Sequence, residues 1–469
     1  MSRIEHLPPI KRIEGHGRVS LVVDDAGMVT DAHFDVVEFR GFEKFVQGRM
    51  VWEMPLVTTR VCGICPVSHH IAAVKAADDL LGAELPRPAK LLRELLHLAG
   101  FVHDHALHFF FLAGPDFLTG DGQSRDILGV IEAQPEFALK AIGIRKAGQR
   151  IVDAVGGQGH PVTAIAGGMS KPLDADVRDE LLAGLRAIVP DALAAERLAR
   201  ETTLRLLAEH PGFAVDPTPY LAILGGGDAF ELYDGNLAVS GLDGAIVDRF
   251  APQEYRSRIS ERVLPHSYAK VPYLTALGPD DGTYRVGPLA RVNLAESMPG
   301  EHSSKALADF RAELGRPEHA TLAYHWARMI ELVAVTERLE QLLTDPDITS
   351  TDVRQRLDRR AGVGVGIVEA PRGTLIHRYE ADEIGRVTAA ELIVATTNNN
   401  AAIDRTCAEA VRGVDVSNGL DEATRLRLER GIRAYDPCLS CATHEVGKMP
   451  LVIEVVGHDG RLRSSEGVR

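Results

Sequence analysis

Two short stretches at opposite ends of the chain constrain its fold more than any other feature of the sequence. Each contains a Cys-x-x-Cys pair, Cys62 with Cys65 near the start and Cys438 with Cys441 near the end. These are four of the five cysteines in a chain of 469 residues. Because paired thiolates are good ligands for soft metals, we expect the two pairs to meet at one site, with the rest of the chain folded around it.

The composition favours a cytoplasmic enzyme over a nucleic-acid-binding or membrane protein. The formal net charge of −14 opposes binding to nucleic acid or to an anionic membrane surface. We find no secretory leader, no run of about 18 apolar residues, and too few cysteines for a disulfide framework. We therefore expect no direct membrane insertion, and the 45% of hydrophobic residues can form a large core.

Local sequence patterns predict short strands in several parts of the chain. Apolar residues alternate over 19–23 and 29–37 around a glycine-containing turn, which predicts a β-hairpin. Residues 211–290 are rich in Gly, Pro and Asp and contain short strand-like runs. Alternation returns over 362–394, where Arg372 lies in the turn between the first two predicted strands.

Helical periodicity predicts most of the remaining structure. Pro66 and the apolar stripe that ends before Gly82 predict a helix starting just after Cys65, whose N-terminal amides would favour a thiolate. The same periodicity predicts further helices over 88–113 and 303–344. It also predicts two helices over 176–209, divided at Pro190.

Several polar residues within these elements have two interpretations. His97, Asp104 and His108 follow one stripe of an otherwise apolar helix, and they need either solvent or buried partners. Arg372 is either an ordinary surface turn residue or a group directed at a fixed partner. Cys407, outside the two pairs, is expected to be a small buried core residue.

The wide separation of the cysteine pairs argues against a structural zinc site. Cys₄ zinc sites usually draw their ligands from within a few tens of residues, and a chain of this size does not need a metal in order to fold. Spacing alone leaves zinc, copper(I), nickel and iron–sulfur clusters open. Ionisable residues flank both pairs, which favours proton chemistry over a closed structural site. They are Arg60, His69 or His70, Asp436 and His444.

Together with their flanking residues, the two cysteine motifs resemble the signature motifs of the large subunit of [NiFe]-hydrogenases. The resemblance covers essentially the whole chain, because the segments 12–16, 40–43 and 370–373 also match. It implies an α+β, mostly helical fold with a central helical bundle and peripheral small β-sheets. It also implies a single interleaved catalytic domain over 1–444 and a C-terminal extension over 445–469 that is removed on maturation.

The resemblance assigns the four cysteines to a nickel–iron centre that splits or forms H2 heterolytically. Cys62 and Cys438 would be terminal ligands of nickel. Cys65 and Cys441 would bridge nickel to an iron that carries two cyanides and one carbon monoxide. Thr396 would hydrogen-bond a cyanide.

The resemblance also assigns roles to residues around this centre. Arg372 would lie over the open face of the metals, polarising H2 or acting as the base, and Asp104 and Asp436 would hold its guanidinium. Glu14 would pass the proton outward from the Cys441 thiolate. A magnesium ion would be bound by the following groups: Glu43, His444 and the Leu392 carbonyl.

Within the family, the motifs look most like those of the cytoplasmic, bidirectional NAD-linked enzymes. The chain has no further cysteines for iron–sulfur clusters and no dinucleotide fingerprint. We therefore expect electrons to leave through a small iron–sulfur subunit, and flavin and NAD chemistry to occur on diaphorase subunits. A maturation endopeptidase and nickel-insertion factors are further implied partners.

Four other interpretations are weighed against this one. The enzyme could be linked to another soluble acceptor, through deazaflavin or heterodisulfide reductase. It could be a hydrogen-sensing regulatory hydrogenase, although a removable extension argues against that branch. A respiratory Complex I core subunit shares the fold but does not need the four cysteines. A structural zinc protein is the most distant of the four.

Overall fold

The computed structural model describes residues 3–7, 10–37, 41–119, 124–264, 267–358 and 361–442, and the backbone of two strands at 451–456 and 462–468. The helices are α1 Phe42–Phe45, α2 Met54–Val57, α3 Pro66–Leu81, α4 Arg87–Ala106, α5 Ile127–Ala133, α6 Pro135–Gly156, α7 Ala175–Glu209, α8 Tyr255–Arg258, α9 Gly278–Asp281, α10 Pro288–Leu294, α11 Glu301–Leu314, α12 Tyr324–Thr344, α13 Ala395–Val411, α14 Glu422–Tyr435 and α15 Leu439–Ala442.

The strands are short and form small antiparallel sheets. They are β1 Arg3–His6, β2 Gly17–Val23, β3 Val29–Val36, β4 Ala164–Ile165, β5 Gly168–Met169, β6 Leu221–Leu224, β7 Asn236–Ser240, β8 Ile246–Phe250, β9 Ile259–Leu264, β10 Ser267–Leu274, β11 Gly362–Ala370, β12 Gly373–Ala381, β13 Val387–Ile393, β14 Leu451–Val456 and β15 Leu462–Val468. Three-stranded sheets are formed by β1-β2-β3, β6-β7-β8 and β11-β12-β13.

A bundle of long helices forms the centre of the molecule. Helix α4 packs against α6 and α12, and α7 packs against both α6 and α12. Leu91, Leu95 and Leu98 recur along α4 at helical spacing and are all buried. The predicted architecture, a helical bundle with peripheral small sheets, is therefore confirmed.

Glycines in β11 let helix α3 lie directly on the sheet. A Cβ atom on Gly364 would come within 2.1 Å of the Ala76 carbonyl oxygen, and one on Gly366 within 2.0 Å of the Ala72 carbonyl oxygen. Strand β11 and helix α3 therefore run in opposite directions, so the end of β11 lies near the start of α3. This packing brings the start of α3, just after Cys65, toward the turn that follows β11.

Two predicted helix boundaries are wrong. Residues 176–209 are a single helix, α7, with Pro190 inside it. Proline removes one backbone hydrogen bond, but the buried side of the helix continues past it through Leu185, Ala192 and Ala199, packed against α12. Tertiary packing therefore outweighs the local cost of the proline.

The range 303–344 is two helices instead of one. Helix α11 ends at Leu314, the next residue, Gly315, has a positive φ of 87°, and α12 begins at Tyr324. Pro317 lies in the connection and cannot donate a helical hydrogen bond. The β-hairpin over 19–37 and the helix from Pro66 are confirmed. Among the described residues, no helix is both long and apolar enough to cross a membrane.

Candidate metal centre

The four cysteine sulfur atoms meet in the interior, as the sequence predicts. Cys62 Sγ lies 3.3 Å from Cys438 Sγ although 376 positions separate the two residues. Cys65 Sγ lies 3.2 Å from Cys441 Sγ, and the two Cys-x-x-Cys contacts are 2.9 and 2.8 Å. All four ligand atoms lie within 4.8 Å of one another, and all four residues are buried. Four thiols at this spacing can share a metal centre.

The first cysteine pair is shaped by the start of α3. Cys65 directly precedes Pro66, the first residue of the helix. The backbone N–H groups of Ile64 and Cys65 both donate to Cys62 Sγ, at 3.3 and 3.0 Å. Donors directed at the sulfur stabilise a thiolate, which is the form that binds metals.

The second pair is held by segments far away in the chain. The Leu439 N–H donates to the Glu14 carbonyl oxygen at 2.9 Å, and the Cys438 N–H donates to Thr396 Oγ1, also at 2.9 Å. Asp436 ends α14 with a positive φ of 57°. The N-terminal segment and the start of α13 therefore hold the ligand loop from two sides.

Arg372 is buried beside the cluster between two carboxylates. Its Nη1 donates to Asp104 Oδ2 at 2.8 Å, and its Nη2 donates to Asp436 Oδ1 at 3.0 Å. The side chain is 2% exposed, so the interpretation as a surface turn residue is wrong. Although burial opposes the charge, the two carboxylates raise the pKa of Arg372 well above its ordinary value. The guanidinium is therefore a fixed cation.

The polar stripe that runs along α4 and into the helical segment Leu107–Ala113 is also buried, so a solvated face is excluded. His97 Nε2 bonds the Glu369 carbonyl oxygen at 2.8 Å, and His108 Nε2 bonds the Arg433 carbonyl oxygen at 2.7 Å. Burial lowers the pKa of both histidines, that of His97 to about 4. Neutral imidazoles at these positions donate to backbone carbonyls, and they anchor α4 and the segment after it to β11 and α14.

The Glu14 carboxylate approaches the cluster at Cys438, not at Cys441 as the resemblance implies. Cys438 Sγ lies 3.2 Å from Glu14 Oε2, and the Ser440 N–H donates to the same oxygen at 2.9 Å. Burial is the main cause that raises the pKa of Glu14, and electrostatic repulsion from Cys62 raises it further. A carboxyl that binds protons more readily, in contact with a sulfur, is suited to carry a proton away from it.

A small cavity opens on one side of the sulfur cluster. It is bounded by Cys65, Cys438 and Cys441 together with the following residues: His69, Ala370, Arg372, Leu375, Val394, Ala395 and Thr396. Among the described residues, Arg372 Nε is a buried donor with no hydrogen-bond partner. A mostly apolar cavity with donors beside sulfur ligands fits a metal that carries small acceptor ligands.

Most of the chain matches models of known protein families. A family model described as nickel-dependent hydrogenase matches residues 40–143 and 252–444, and a second, described as HoxL-like, matches 6–39. The chain belongs to the nickel-dependent hydrogenase family. The structural zinc and Complex I interpretations are thereby set aside.

Similarity to individual hydrogenase subunits extends over nearly the whole chain. The chain is 40% identical to the NAD-reducing hydrogenase HoxS subunit beta of Cupriavidus necator, with 98% of this chain and 99% of the relative covered. It is also 40% identical to a vhc subunit of the F420-non-reducing hydrogenase from Methanococcus voltae, with 96% of each covered. The crystal structure of an NAD+-reducing [NiFe]-hydrogenase superposes with a TM-score of 0.88 at 40% identity, covering 94% and 99%. The predicted class of enzyme, a hydrogenase large subunit, is confirmed.

Two of the three residues predicted to bind magnesium lie close together in this hydrogenase subunit. The Leu392 N–H donates to Glu43 Oε1 at 2.9 Å, across 349 positions of the chain. His444, the third predicted ligand, lies outside the described residues. The structure therefore brings two of the three residues together.

A buried ionic network that no sequence pattern predicted lies behind the Arg372 turn. Arg291, Glu331 and Glu369 are each at most 1% exposed and are joined by ion pairs. They come from α10, α12 and the end of β11, in parts of the chain too far apart for sequence spacing to relate them. The only sequence feature that indicates this network is the presence of single charged residues within otherwise apolar runs.

Proposed function

We propose that this chain is the catalytic subunit of a [NiFe]-hydrogenase that splits or forms H2. Cys62 and Cys438 would be the terminal nickel ligands, and Cys65 and Cys441 would bridge nickel to iron. The observation that carries this proposal is the meeting of the four buried sulfur atoms beside the cavity lined by Arg372.

The position of the cavity supports an iron with two cyanides and one carbon monoxide. Both proposed bridging residues, Cys65 and Cys441, line it together with Cys438, whereas Cys62 does not. Arg372 Nε can donate to a cyanide. Thr396 Oγ1 already accepts from the Cys438 N–H, so its hydroxyl proton can be donated elsewhere. Leu375 and Val394 provide apolar contact suited to carbon monoxide.

When bound, the nickel–iron centre would supply the Lewis-acidic site at which H2 is cleaved heterolytically. The contribution of this chain is to orient groups around it and to move the proton. Arg372 is better suited to polarise H2 than to act as the base, because Asp104 and Asp436 favour its charged form. Glu14 then accepts the proton from the Cys438 side of the cluster and releases it outward.

Electrons would leave to an iron–sulfur partner subunit. The chain has five cysteines, and the four at the cluster leave only Cys407, which is buried and separate. Gly63 and Arg60 are exposed although they flank buried ligands. A partner seated over this loop would bring its cluster close to the cysteine ligands, so we place the small subunit there.

We propose NAD(P)+ as the final acceptor, reached through flavin-containing diaphorase subunits, and a cytoplasmic location. Support comes from the NAD-reducing relative and from the superposed NAD+-reducing structure. The second candidate is linkage to a different soluble acceptor, because the F420-non-reducing relative is equally similar. Hydrogen-dependent reduction of NAD+ by the purified complex separates the two, since only the first requires it.

We propose that residues 1–444 are the mature catalytic domain and that 445–469 are a removable extension. Strands β14 and β15 pair with each other, and β14 lies beside β1 at the edge of the N-terminal sheet. The extension is therefore a separate hairpin placed after the last ligand motif. A maturation endopeptidase acting after nickel insertion would cut behind His444. Glu43, Leu392 and His444 would hold the magnesium ion.

The decisive experiment measures metal content and infrared spectra of the purified complex. We expect nickel together with a larger amount of iron, because the partner subunit carries iron–sulfur clusters, with bands from one carbon monoxide and two cyanides, and exchange between H2 and D2O. Cys438→Ala should lose nickel and all exchange. Cys407→Ala, a buried cysteine outside the cluster, is the matched control and should keep both. Zinc alone, or an iron without these bands, would refute the proposal.

A further inference from the structure

Arg291 lies behind the turn that carries Arg372 and bonds the backbone of that turn. Arg291 is 1% exposed and belongs to the short helix α10. Its Nη1 donates to the Ala370 carbonyl oxygen at 3.0 Å, and its Nη2 donates to the Pro371 carbonyl oxygen at 3.2 Å. These are the two peptide carbonyls directly before Arg372.

Two buried carboxylates hold the Arg291 guanidinium in this orientation. Glu331 on α12 accepts from Arg291 Nη2 at 2.7 Å and also from its Nε. Glu369 Oε2 accepts from Arg291 Nη1 at 2.6 Å. His105 Nε2 lies 3.0 Å from Glu331 Oε2, so α4 joins the same network. A guanidinium fixed by bidentate contacts has little freedom to move.

The second carboxylate oxygen of Glu369 bonds a residue that follows Arg372 in the turn. Glu369 Oε1 accepts from Thr374 Oγ1 at 2.8 Å and from the Ile223 N–H at 2.9 Å. Residues on both sides of Arg372 are therefore bonded, through Glu369 and Arg291, to one rigid network.

The start of α10 also contacts the turn directly. A Cβ atom on Gly287 would come within 2.8 Å of the Arg372 carbonyl oxygen, and one on Gly373 within 2.1 Å of a Val286 side-chain carbon. Gly373 has a φ of 135°, which a residue with a side chain rarely adopts. The turn is thus pressed against the helix that supplies Arg291.

Stability alone does not account for this network. Burying an arginine and two carboxylates requires desolvating all three, and apolar residues of similar volume often stabilise a core as well or better. What the charged groups add is direction, because hydrogen bonds fix the turn in a way that apolar contacts do not. Arg372 needs such precision to reach Asp104 and Asp436 while facing the cavity.

We propose that Arg291 is a positioning residue that sets the placement of the Arg372 guanidinium over the metal centre. The inference rests on the proposed function of Arg372. Arg291 does not line the cavity beside the cysteines, so its effect on the reaction passes through the turn.

Arg291→Lys tests this placement, with Arg93→Lys as the matched control. Lysine keeps the positive charge, but its single nitrogen cannot bond two carboxylates and two carbonyls at once. Arg93 is equally buried, pairs with Asp78 and also bonds backbone carbonyls, those of Ile165 and Gly168. It differs in holding the β4–β5 hairpin instead of the Arg372 turn.

We expect Arg291→Lys to retain nickel and iron but to lower kcat for H2 oxidation per nickel by about 10- to 100-fold, as small misplacements do. Its infrared carbon monoxide and cyanide bands should shift in the same direction as those of Arg372→Lys. Arg93→Lys should lower thermal stability while keeping the wild-type bands and at least half of the wild-type kcat.

The outcomes separate the inference from the proposed function. Wild-type bands and a kcat per nickel like that of Arg93→Lys would overturn the positioning role of Arg291. A wild-type protein without nickel or H2 exchange would instead overturn the function itself. If Arg291→Lys fails to fold, Glu331→Gln, which keeps the shape of the network, should give the same band shift in a weaker form; no shift would equally overturn the inference.

Discussion

Glu14 and Ser440 lie at opposite ends of the chain, yet the Ser440 N–H donates to the Glu14 carboxylate at 2.9 Å. The same carboxylate oxygen lies 3.2 Å from Cys438 Sγ. The N-terminal segment is therefore a wall of the metal centre, and it supplies a carboxylate at the sulfur through which a proton can leave.

Replacing Glu14 with glutamine tests this route. The amide oxygen can still accept from the Ser440 N–H, but the side chain cannot carry a proton. We expect Glu14→Gln to keep its nickel and to slow H2/D2O exchange by at least about 100-fold, in line with the usual effect of a general acid–base group.

Glu94→Gln is the control for this experiment. Burial also raises the pKa of Glu94, but Glu94 pairs with Arg338 on α12, away from the cysteines. Its exchange rate should stay near the wild-type value. Rapid exchange in Glu14→Gln would show that protons leave by another path.

Arg372→Lys should damage both activity and stability. A lysine nitrogen can reach only one of Asp104 and Asp436 and leaves the other carboxylate buried without its partner. Such a loss costs about 3–5 kcal/mol. Turnover per nickel should fall by about 10² to 10³, the loss seen when one electrostatic donor is removed from an active site. Calorimetry and H2-oxidation assays check the two effects.

Arg405→Lys serves as the comparison for Arg372→Lys. Arg405 also makes two bonds to a carboxylate, that of Asp216, but it is 39% exposed. Solvent can replace its lost contacts, so stability should change by about 1 kcal/mol or less. Equal losses in both variants would argue against a special role for the buried guanidinium.

Acid should weaken the fold through the buried histidine His97. Burial lowers the pKa of His97 to about 4 in the folded chain, from an ordinary value of 6.5. Below pH 6.5, His97 therefore becomes protonated in the unfolded chain but stays neutral in the folded chain. The free energy of unfolding falls as the pH falls toward 4. Between pH 8 and pH 5.5 the loss from this residue is about 1.4 kcal/mol.

His97→Gln should remove that part of the pH dependence. The variant is expected to be less stable than wild type at pH 8, because the bond to the Glu369 carbonyl is disturbed. The difference in free energy of unfolding between variant and wild type should become smaller as the pH is lowered. Chemical unfolding at both pH values measures the difference. His302→Gln, at an exposed position of α11, should leave stability at pH 8 unchanged. Parallel curves for His97→Gln and wild type would contradict the assignment.

Maturation makes a prediction that mass spectrometry can check. The nickel-loaded, active chain should end at His444, and its intact mass should lack residues 445–469. Chain made in cells deprived of nickel should retain the extension, because cutting is proposed to follow metal insertion. An active chain with the mass of all 469 residues would refute removal.

Sequence reasoning worked where the signal was local. The helix from Pro66 to Leu81 and the hairpin over 19–37 follow from periodicity and turn residues, and the structure contains both. It failed at Pro190, because continuous packing along α7 overrides a local helix breaker. The burial of Arg372 could not be read from its turn, since burial depends on what the rest of the chain places over it.

The sequence by itself determined which reactive groups this protein has, because thiolate pairs at fixed spacing carry their metal-binding chemistry with them. Only the tertiary structure decided which contacts these groups make. It put Glu14 at Cys438, enclosed Arg372 between Asp104 and Asp436, and placed Arg291 behind the turn. Such contacts join residues hundreds of positions apart, and they arise from packing of the whole chain, which no local pattern encodes.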